Sequence, residues 1–338
     1  MLVTVIVPVR NEAANIRHTL ECLRLQEFDS DQFEVLVVDG VSTDDTVAQV
    51  NDALSTFRQL RLLSNSKRLS SAARNVGIRH ALGQYIVIVD GHCAIDDRHY
   101  LSKLVDAFDT SGADCLGRPQ PLRTEGANAF QEAVGVARSS WLGHNPDSSI
   151  YSDQQRFVAP DNVAVAYRRD VFAKVGLFDE QFDACEDVEF NTRVRQAGMT
   201  CFFTPAIGVD YQPRSTLGGL LHQMFRYGTG RSRLGRKHPS SITLPSLVPV
   251  LWLIWLPLTF ALGFLSPLFA AAFCVSVLVY TFSILGESIR LSLRRNFAMA
   301  VRVPFIFPAI HIGFGWGFLR DRLGFLTRRN ARTKRTLR

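Results

Sequence analysis

The sequence predicts an α/β domain with a parallel sheet, followed by helices that enter a membrane. In residues 3–117, short β-branched runs alternate with helical patterns. Residues 244–286 contain no charged residue. This uncharged stretch is long enough for two membrane spans of about 20 residues each. The charge also changes sign. Up to Asp210 there are 20 basic against 29 acidic residues, a net charge of −9, and beyond it 18 against 2, a net charge of +16.

The predicted strands are nearly continuous apolar runs, as expected for parallel strands that helices cover on both faces. They are VTVIVPV, FEVLVVD, LRLLS and QYIVIVD. Between the first two, Ile16, Leu20 and Leu23 recur at helical spacing, and before the next helix Ser42 and Asp45 predict a capping box. Ligands of such sheets bind at the carboxyl ends of the strands, so we expect a site there.

The uncharged stretch 244–286 predicts two membrane spans joined by a turn at 265–268, with a buried helical hairpin of a soluble core as the alternative. Residues 297–319 are less apolar and include Arg302. The tail 320–338 contains eight basic residues, and a third full span would export it against the positive-inside rule. We therefore expect two spans, an interfacial third segment and a cytoplasmic tail.

Composition argues against several other classes of protein. The positive charge flanks long apolar runs instead of forming an aromatic-rich basic face, so we expect membrane lipids and no nucleic acid as partners. The six cysteines show no CxxC spacing, which argues against a zinc site or a disulfide framework and favours reduced thiols in the cytosol. The first residues lead directly into a strand pattern, so no cleaved signal peptide is expected.

Polar residues follow three of the predicted strands. Arg10 and Glu12 lie between the first strand and the N-terminus of a helix, which attracts anions. An ordinary connection between a strand and a helix also explains them. Asp39 precedes a turn glycine and is a candidate hydrogen-bond acceptor for a ligand. Asp90 ends the fourth strand, and His92 follows two residues on. A carboxylate and an imidazole together favour Mn²⁺, with Mg²⁺ as the alternative.

The acidic run at 178–190 reads FDEQFDACEDVEF. A solvated acidic loop is its ordinary explanation, and Glu189 with Arg193 forms a helical i,i+4 pair. Glu186 and Asp187 lie where this loop passes into a helix, so one of them is a candidate general base.

Two other segments carry basic side chains. Arg74, on the third predicted helix, either faces the crevice at the strand ends or is solvated. Gln223, Arg226 and Tyr227 precede the first membrane segment, where interfacial anchoring by arginine and tyrosine is the alternative to a functional role.

Seven segments, in order and spacing, resemble the inverting family 2 glycosyltransferases, which use a nucleotide-sugar donor on a GT-A (Rossmann-like) fold. They are VPVRNE, VVDGVSTDDT, AARNVGI, IVIVDGH, NVAVAYRRDVFAKVGLFDE, EDVEF and QMFRY. The pattern is most like that of membrane-anchored succinoglycan-type exopolysaccharide glycosyltransferases. The resemblance implies a multi-pass enzyme of the bacterial inner membrane whose catalytic domain faces the cytoplasm. It implies transfer from a UDP-sugar to a polyprenyl-diphosphate-linked saccharide, with Mn²⁺ or Mg²⁺.

The resemblance also implies roles for individual residues. Those that would bind the nucleotide-sugar are Pro8, Arg10, Glu12, Asp39, Arg74 and Asp90. The metal would be held by Asp90 and His92. Asp187 would be the general base, with Glu186 beside it. On the acceptor or diphosphate side would lie Asn162, Gln223, Arg226 and Tyr227. Tyr227 replaces the tryptophan of the family's Q-x-x-R-W motif, which weakens any case for processive synthesis.

The expected organisation has five parts. They are a catalytic domain at 1–231 (donor half 1–117, acceptor half 118–231), a basic linker at 232–243, a transmembrane hairpin at 244–286, an interfacial or third membrane segment at 297–319, and a basic tail at 320–338. Two other functions stay open. One is a polyprenyl-phosphate glycosyltransferase that makes a lipid-linked monosaccharide, and the other is a catalytically dead membrane scaffold that binds nucleotide or sugar.

Overall fold

The computed structural model describes residues 1–122, 126–144 and 149–336, with side chains up to residue 325 apart from that of Asn162. The chain divides into two compact units. The first comprises residues 1–122 and 148–212, and the second comprises residues 123–147 and 213–338.

The first unit contains ten strands among its described residues: β1 Val3–Val9, β2 Phe33–Asp39, β3 Leu60–Ser64, β4 Tyr85–Ile88, β5 Cys93–Ala94, β6 Cys115–Gly117, β7 Arg156–Val158, β8 Ala164–Arg168, β9 Cys201–Phe203 and β10 Asp210–Tyr211. Eight form one sheet in the order β3-β2-β1-β4-β8-β6-β9-β7, and β5 pairs with β10. Parallel pairing is confirmed for β3, β2, β1 and β4. β8 runs antiparallel to β4 and β6, which the sequence did not reveal because the alternation of strand and helix patterns that predicts parallel pairing ends before β8.

Helices cover both faces of this sheet. Alternate residues of β1 point to opposite faces, so that Val5 and Val7 join one core and Ile6 the other. The helices of this unit are α1 Ile16–Arg24, α2 Thr46–Leu54, α3 Ser70–His80, α4 Tyr100–Ser111, α6 Arg169–Val175 and α7 Glu186–Gln196, and α5 belongs to the second unit. The first core includes α1, α2 and α4, and the second includes α3, α6 and α7. The predicted α/β class is therefore confirmed.

The predicted capping box before α2 is wrong. Ser42 lies too early to cap this helix, which begins at Thr46. Its hydroxyl instead donates to Oδ1 of Asp39 at 2.6 Å. Because Asp39 is buried, its carboxylate needs a local hydrogen-bond donor, and Ser42 provides it.

The second unit is helical. Its described helices are α5 Ala129–Arg138, α8 Leu217–Lys237, α9 Leu244–Gly263, α10 Pro267–Arg294 and α11 Met299–Thr336. α9, α10 and residues 299–325 of α11 are each long and apolar enough to cross a membrane. α9 and α10 form the predicted hairpin, with Trp255 Nε1 donating to Ser276 Oγ at 2.9 Å and Trp252 packed on Tyr280.

α8 continues through the expected boundary at residue 231 because α11 packs along it. A Cβ at Gly228 would lie 1.9 Å from the Phe314 carbonyl oxygen, and a Cβ at Gly317 would lie 2.0 Å from that of Phe225. Only glycine permits such contact between two helix backbones. The glycines that weaken the intrinsic helix propensity of α8 are thus compensated by packing.

We expect Gly317→Ala to destabilise the second unit by about 1–3 kcal/mol, because the added methyl group forces α11 away from α8. Thermal unfolding of the detergent-solubilised chain measures this loss. Gly324→Ala is the matched control on the same helix, where a Cβ meets nothing within 4 Å and should stabilise slightly. Equal melting temperatures for the two variants would contradict the close contact.

Candidate functional site

Three loops meet at the carboxyl ends of neighbouring parallel strands β2, β1 and β4. The loops after β1 and β2 are hydrogen-bonded to each other. Asn11 Oδ1 accepts from the Thr43 amide at 2.8 Å, and the Asn11 amide donates to Ser42 Oγ at 2.9 Å. The Glu12 amide donates to Thr46 Oγ1 at 2.8 Å. These hydrogen bonds fix the backbone of the loop that contains Arg10 and Glu12.

Strained backbone borders the same region. In the described residues, the non-glycine residues with positive φ are Asn11 (57°), Val41 (60°), Arg68 (60°) and Cys185 (60°). They follow β1 and β2 and precede α3 and α7. A β-branched residue such as Val41 is especially costly in this conformation. Such strain persists only where surrounding contacts over-determine the backbone, which is typical of functional sites.

Arg74 contacts both Asp90, at the end of a strand, and Glu186, in the acidic run. It projects from α3, is buried, and places Nη2 3.3 Å from Glu186 Oε1 and 3.7 Å from Asp90 Oδ1. Its guanidinium lies 5.4 Å from the centre of the Phe178 ring. Burial opposes the charged form, but the neighbouring carboxylates, Glu186 foremost, outweigh it and raise the pKa of Arg74. The structure therefore excludes a solvated Arg74.

Glu186 and Asp187 form the first turn of α7, where the helix dipole favours negative charge. Glu186 is buried and Asp187 is exposed. Burial raises the pKa of Glu186, Arg74 lowers it less, and the charge of Asp187 adds to the rise. Asp187 is thus the carboxylate that an incoming molecule can reach, while Glu186 faces Arg74.

α3 also holds the acidic run that precedes α7. Asn75 Nδ2 donates to the Phe178 carbonyl and its Oδ1 accepts from the Phe178 amide, both at 2.9 Å. Ser71 Oγ donates to the Phe182 carbonyl at 2.9 Å. Residues 178–185, which precede α7, therefore form a loop fixed to α3 and not a freely solvated one.

His92 is paired with Glu12. Its Nδ1 lies 2.9 Å from Glu12 Oε1, and its ring packs edge-on against Tyr211, with the ring centres 5.0 Å apart. If Nδ1 carries the proton, it donates a hydrogen bond to Glu12 and the lone pair lies on Nε2, as in carboxylate–histidine–metal arrangements. Asp90 is partly exposed beside Arg74. A metal ion that also binds a diphosphate needs only one or two protein carboxylates, so this corner fits such an ion.

The other predicted donor-side residues lie at the same strand ends. Asp39 is buried, and its carboxylate accepts from the Ser42 amide and hydroxyl. Pro8 is within β1, and Arg10 is exposed, with Nη1 3.4 Å from the Arg68 carbonyl oxygen.

The predicted acceptor-side residues divide between the units. Asn162 ends the 3₁₀ turn Pro160–Asn162 in the first unit, but its side chain lies outside the described part of the structure. Gln223, Arg226 and Tyr227 lie on α8 in the second unit. There Gln223 is buried, Arg226 is exposed, and the Tyr227 ring lies 5.9 Å from the Arg138 guanidinium.

Sequence reasoning missed two residues of this region. Arg118, just after β6, is buried and donates to Tyr100 Oη at 2.8 Å and, at 3.2 Å, to the carbonyl of Ile88, which lies two residues before Asp90. A charged residue immediately after an apolar strand was the available signal. Tyr211, which packs on His92, had no signal because the pairing of β10 with β5 brings it there.

Residues 4–176 match the family model described as Glycosyl transferase family 2. The chain belongs to this family. It is therefore a glycosyltransferase, and its mixed sheet is a GT-A fold. The resemblance to family 2 glycosyltransferases, inferred from seven short segments, is confirmed.

Two relatives are similar to this glycosyltransferase over most of its length. The succinoglycan biosynthesis protein ExoA of Rhizobium meliloti is 29% identical, covering 96% of both chains. A dolichyl N-acetyl-alpha-D-glucosaminyl phosphate 3-beta-D-2,3-diacetamido-2,3-dideoxy-beta-D-glucuronosyltransferase of Methanococcus voltae is 24% identical, covering 94% of this chain and 96% of the relative. Relatives of this glycosyltransferase thus act in exopolysaccharide and lipid-linked glycan synthesis.

Two solved structures share the fold. The mannosyltransferase PcManGT from Pyrobaculum calidifontis, in complex with GDP-Man and Mn²⁺, has a TM-score of 0.58 and 21% identity, covering 93% of this chain and 87% of that one. S. aureus TarS 1-349 in complex with UDP-GlcNAc has a TM-score of 0.51 and 16% identity, covering 96% and 92%.

We expect Arg74→Gln to lower the free energy of unfolding of the first unit by about 3–5 kcal/mol, because Glu186 stays buried without its cation. The pKa of Glu186, which burial already raises, then lies further above its value in the unfolded chain. The folded state binds the proton more tightly, so stability is retained at low pH and lost as pH rises through the folded pKa. Urea unfolding at about pH 5 and about pH 8 measures the difference.

The exposed pair Arg24–Glu21 provides the control, since Arg24→Gln should change stability little at either pH. A second test is the double variant Arg74→Gln/Glu186→Gln, which should be more stable than Arg74→Gln alone. A loss for Arg74→Gln that does not vary with pH would contradict the pairing.

Proposed function

We propose that this glycosyltransferase transfers a sugar from a UDP-sugar, with inversion, to a polyprenyl-diphosphate-linked saccharide at the cytoplasmic face of a bacterial inner membrane. The observation that carries the proposal is the contact of Arg74 with both Asp90 and Glu186. It brings a carboxylate suited to a donor-bound metal into one site with the Glu186–Asp187 pair.

In this proposal the donor lies across the carboxyl ends of β2, β1 and β4. Pro8, Arg10, Glu12 and Asp39 bind the nucleotide, and Arg74 fixes the carboxylates around the sugar diphosphate. Asp90, with His92, would hold a divalent ion, which supplies Lewis-acid stabilisation of the departing diphosphate when bound. The pairing of His92 with Glu12 supports this role by orienting the imidazole.

Asp187 acts as the general base that takes the proton of the acceptor hydroxyl. Its exposure at the first turn of α7 supports this assignment, since a base must reach the acceptor. Glu186 holds Arg74 and is a positioning residue. Inversion needs one attack by the acceptor oxygen and no protein nucleophile, so a single base is sufficient.

The membrane-type helices of the second unit support a lipid-linked acceptor, because such a saccharide remains in the bilayer plane. The relatives named for succinoglycan and for a dolichyl-linked sugar support the same class. Gln223, Arg226 and Tyr227 on α8, together with Asn162, are assigned to the acceptor or leaving diphosphate. A transferase acting on bare polyprenyl phosphate shares the donor site and is separated by its product.

We further propose that only α9 and α10 cross the bilayer. α8 carries five arginine and lysine residues from 226 to 237, so it is confined to the membrane surface. Residues 313–325 of α11 lie along it, and Asp321 pairs with Arg233 and Arg236. α11 therefore shares the depth of α8 at the interface, and the basic tail stays on the cytoplasmic side.

Membranes containing the chain should transfer labelled sugar from a UDP-sugar to an endogenous lipid-linked saccharide, and Mn²⁺ should increase the rate. Asp187→Asn should reduce transfer by about 10²–10⁴-fold, because the acceptor hydroxyl loses its base, while UDP-sugar binding is retained. Asp170→Asn, which changes an exposed aspartate of α6 paired with Lys174, is the control and should leave transfer unchanged.

Two outcomes would replace this proposal. Label appearing on bare polyprenyl phosphate would assign the chain to synthesis of a lipid-linked monosaccharide. UDP-sugar binding that is normal in Asp187→Asn, together with unchanged cellular polysaccharide, would favour the non-catalytic scaffold.

The topology predicts that a reporter appended after Arg338 lies in the cytoplasm. Alkaline phosphatase fused there should be inactive and a fluorescent protein should be bright. A phosphatase inserted after Leu265, in the turn between α9 and α10, is the control and should be active. An active phosphatase after Arg338 would mean that α11 spans.

A further inference from the structure

A cluster of three metal-binding side chains lies outside the site described above. His18 and Cys22 stand one turn apart on α1, and Asp96 follows β5. The Nε2 of His18 lies 3.7 Å from the Sγ of Cys22, and one ligand atom from each of the three residues lies within 4.8 Å of the others. His18 and Asp96 are exposed and Cys22 is half-buried, so an ion can reach them.

Two buried polar side chains hold the backbones of this cluster in place. The Thr19 hydroxyl lies 3.1 Å from the Gly91 carbonyl oxygen and 2.9 Å from that of Cys93. The Gln26 amide donates to the carbonyl oxygens of Cys22, at 3.1 Å, and Asp97, at 2.9 Å.

Thr19 and Gln26 therefore fix α1 against the segment 91–97 on both sides of the three ligands. Binding an ion then orders only side chains, which lowers its entropic cost.

The donor set selects the kind of ion. A thiolate with an imidazole and a carboxylate suits Zn²⁺, whereas Mg²⁺ and Ca²⁺ take oxygen ligands. Tetrahedral bonds of usual length separate a zinc-bound sulfur and nitrogen by about 3.6 Å, close to the observed distance between Cys22 and His18. Three protein ligands leave a fourth position for water.

We propose that His18, Cys22 and Asp96 form a Zn²⁺ site that links α1 to the segment 91–97. The absence of CxxC spacing argued against zinc from the sequence, but ligands from two different elements leave no such signature. The bound ion would cross-link α1 to the segment that follows Asp90 and His92. The site involves neither the donor nor the acceptor, so it stands independently of the proposed reaction.

Co²⁺ added to the full chain in detergent, after removal of metal by a chelator, tests the site. A thiolate-to-cobalt charge-transfer band should appear in the near ultraviolet and should disappear when Zn²⁺ is added. Cys22→Ser should abolish the band, and Asp96→Asn should weaken Co²⁺ binding by at least about tenfold. Cys274→Ser, which removes an exposed cysteine of α10, is the matched control and should keep the band.

Thermal unfolding provides an independent readout. Zn²⁺ should raise the melting temperature of the unmodified chain and of Cys274→Ser, because it binds only the folded cluster, and should not raise that of Cys22→Ser or His18→Gln. A band that persists in Cys22→Ser would overturn the proposal. So would Co²⁺ bound without a thiolate band, because it would then have oxygen and nitrogen ligands elsewhere.

Discussion

A buried guanidinium at Arg74 is the constraint on which the site depends. Removing such a charge from water costs several kcal/mol unless carboxylates compensate it, so the fold must bring acidic groups to α3. It brings them from the end of β4, with Asp90, and from the start of α7, with Glu186. Two segments almost 100 residues apart are thereby held at one point. Asn75 and Ser71 on the same helix fix the acidic loop that leads into α7.

The strand-end loops show how local strain and local hydrogen bonding support one another. Val41 and Asn11 occupy a left-handed backbone conformation that side chains disfavour. The bonds from Ser42 to Asp39 and from Thr43 to Asn11 compensate that cost and tie the two loops together. The polar side chains of these loops therefore serve the backbone as well as a ligand.

In the second unit α9 and α10 are apolar around most of their surface, whereas α8 carries five basic residues from 226 to 237. α9 and α10 expose large apolar side chains over much of their length, as membrane-facing helices do. α11 is covered more than the other two helices. Its glycines permit backbone contact with α8, and Asp321 compensates two arginines of that helix. Charged and apolar surface thus meet along one pair of helices, as expected at a membrane interface.

The sequence by itself determined the α/β class, the first four parallel strands, the helix at Ile16–Arg24, the apolar helices and the family. Each depends on periodicity or on short segments that are contiguous in the chain. It also named Asp90, Glu186 and Asp187, since they adjoin strand or helix ends. Only the tertiary structure decided that Arg74 is buried between these carboxylates, that Glu186 is covered while Asp187 is exposed, and that His92 binds Glu12. Those outcomes depend on contacts between residues far apart in the chain, which neither spacing nor composition encodes.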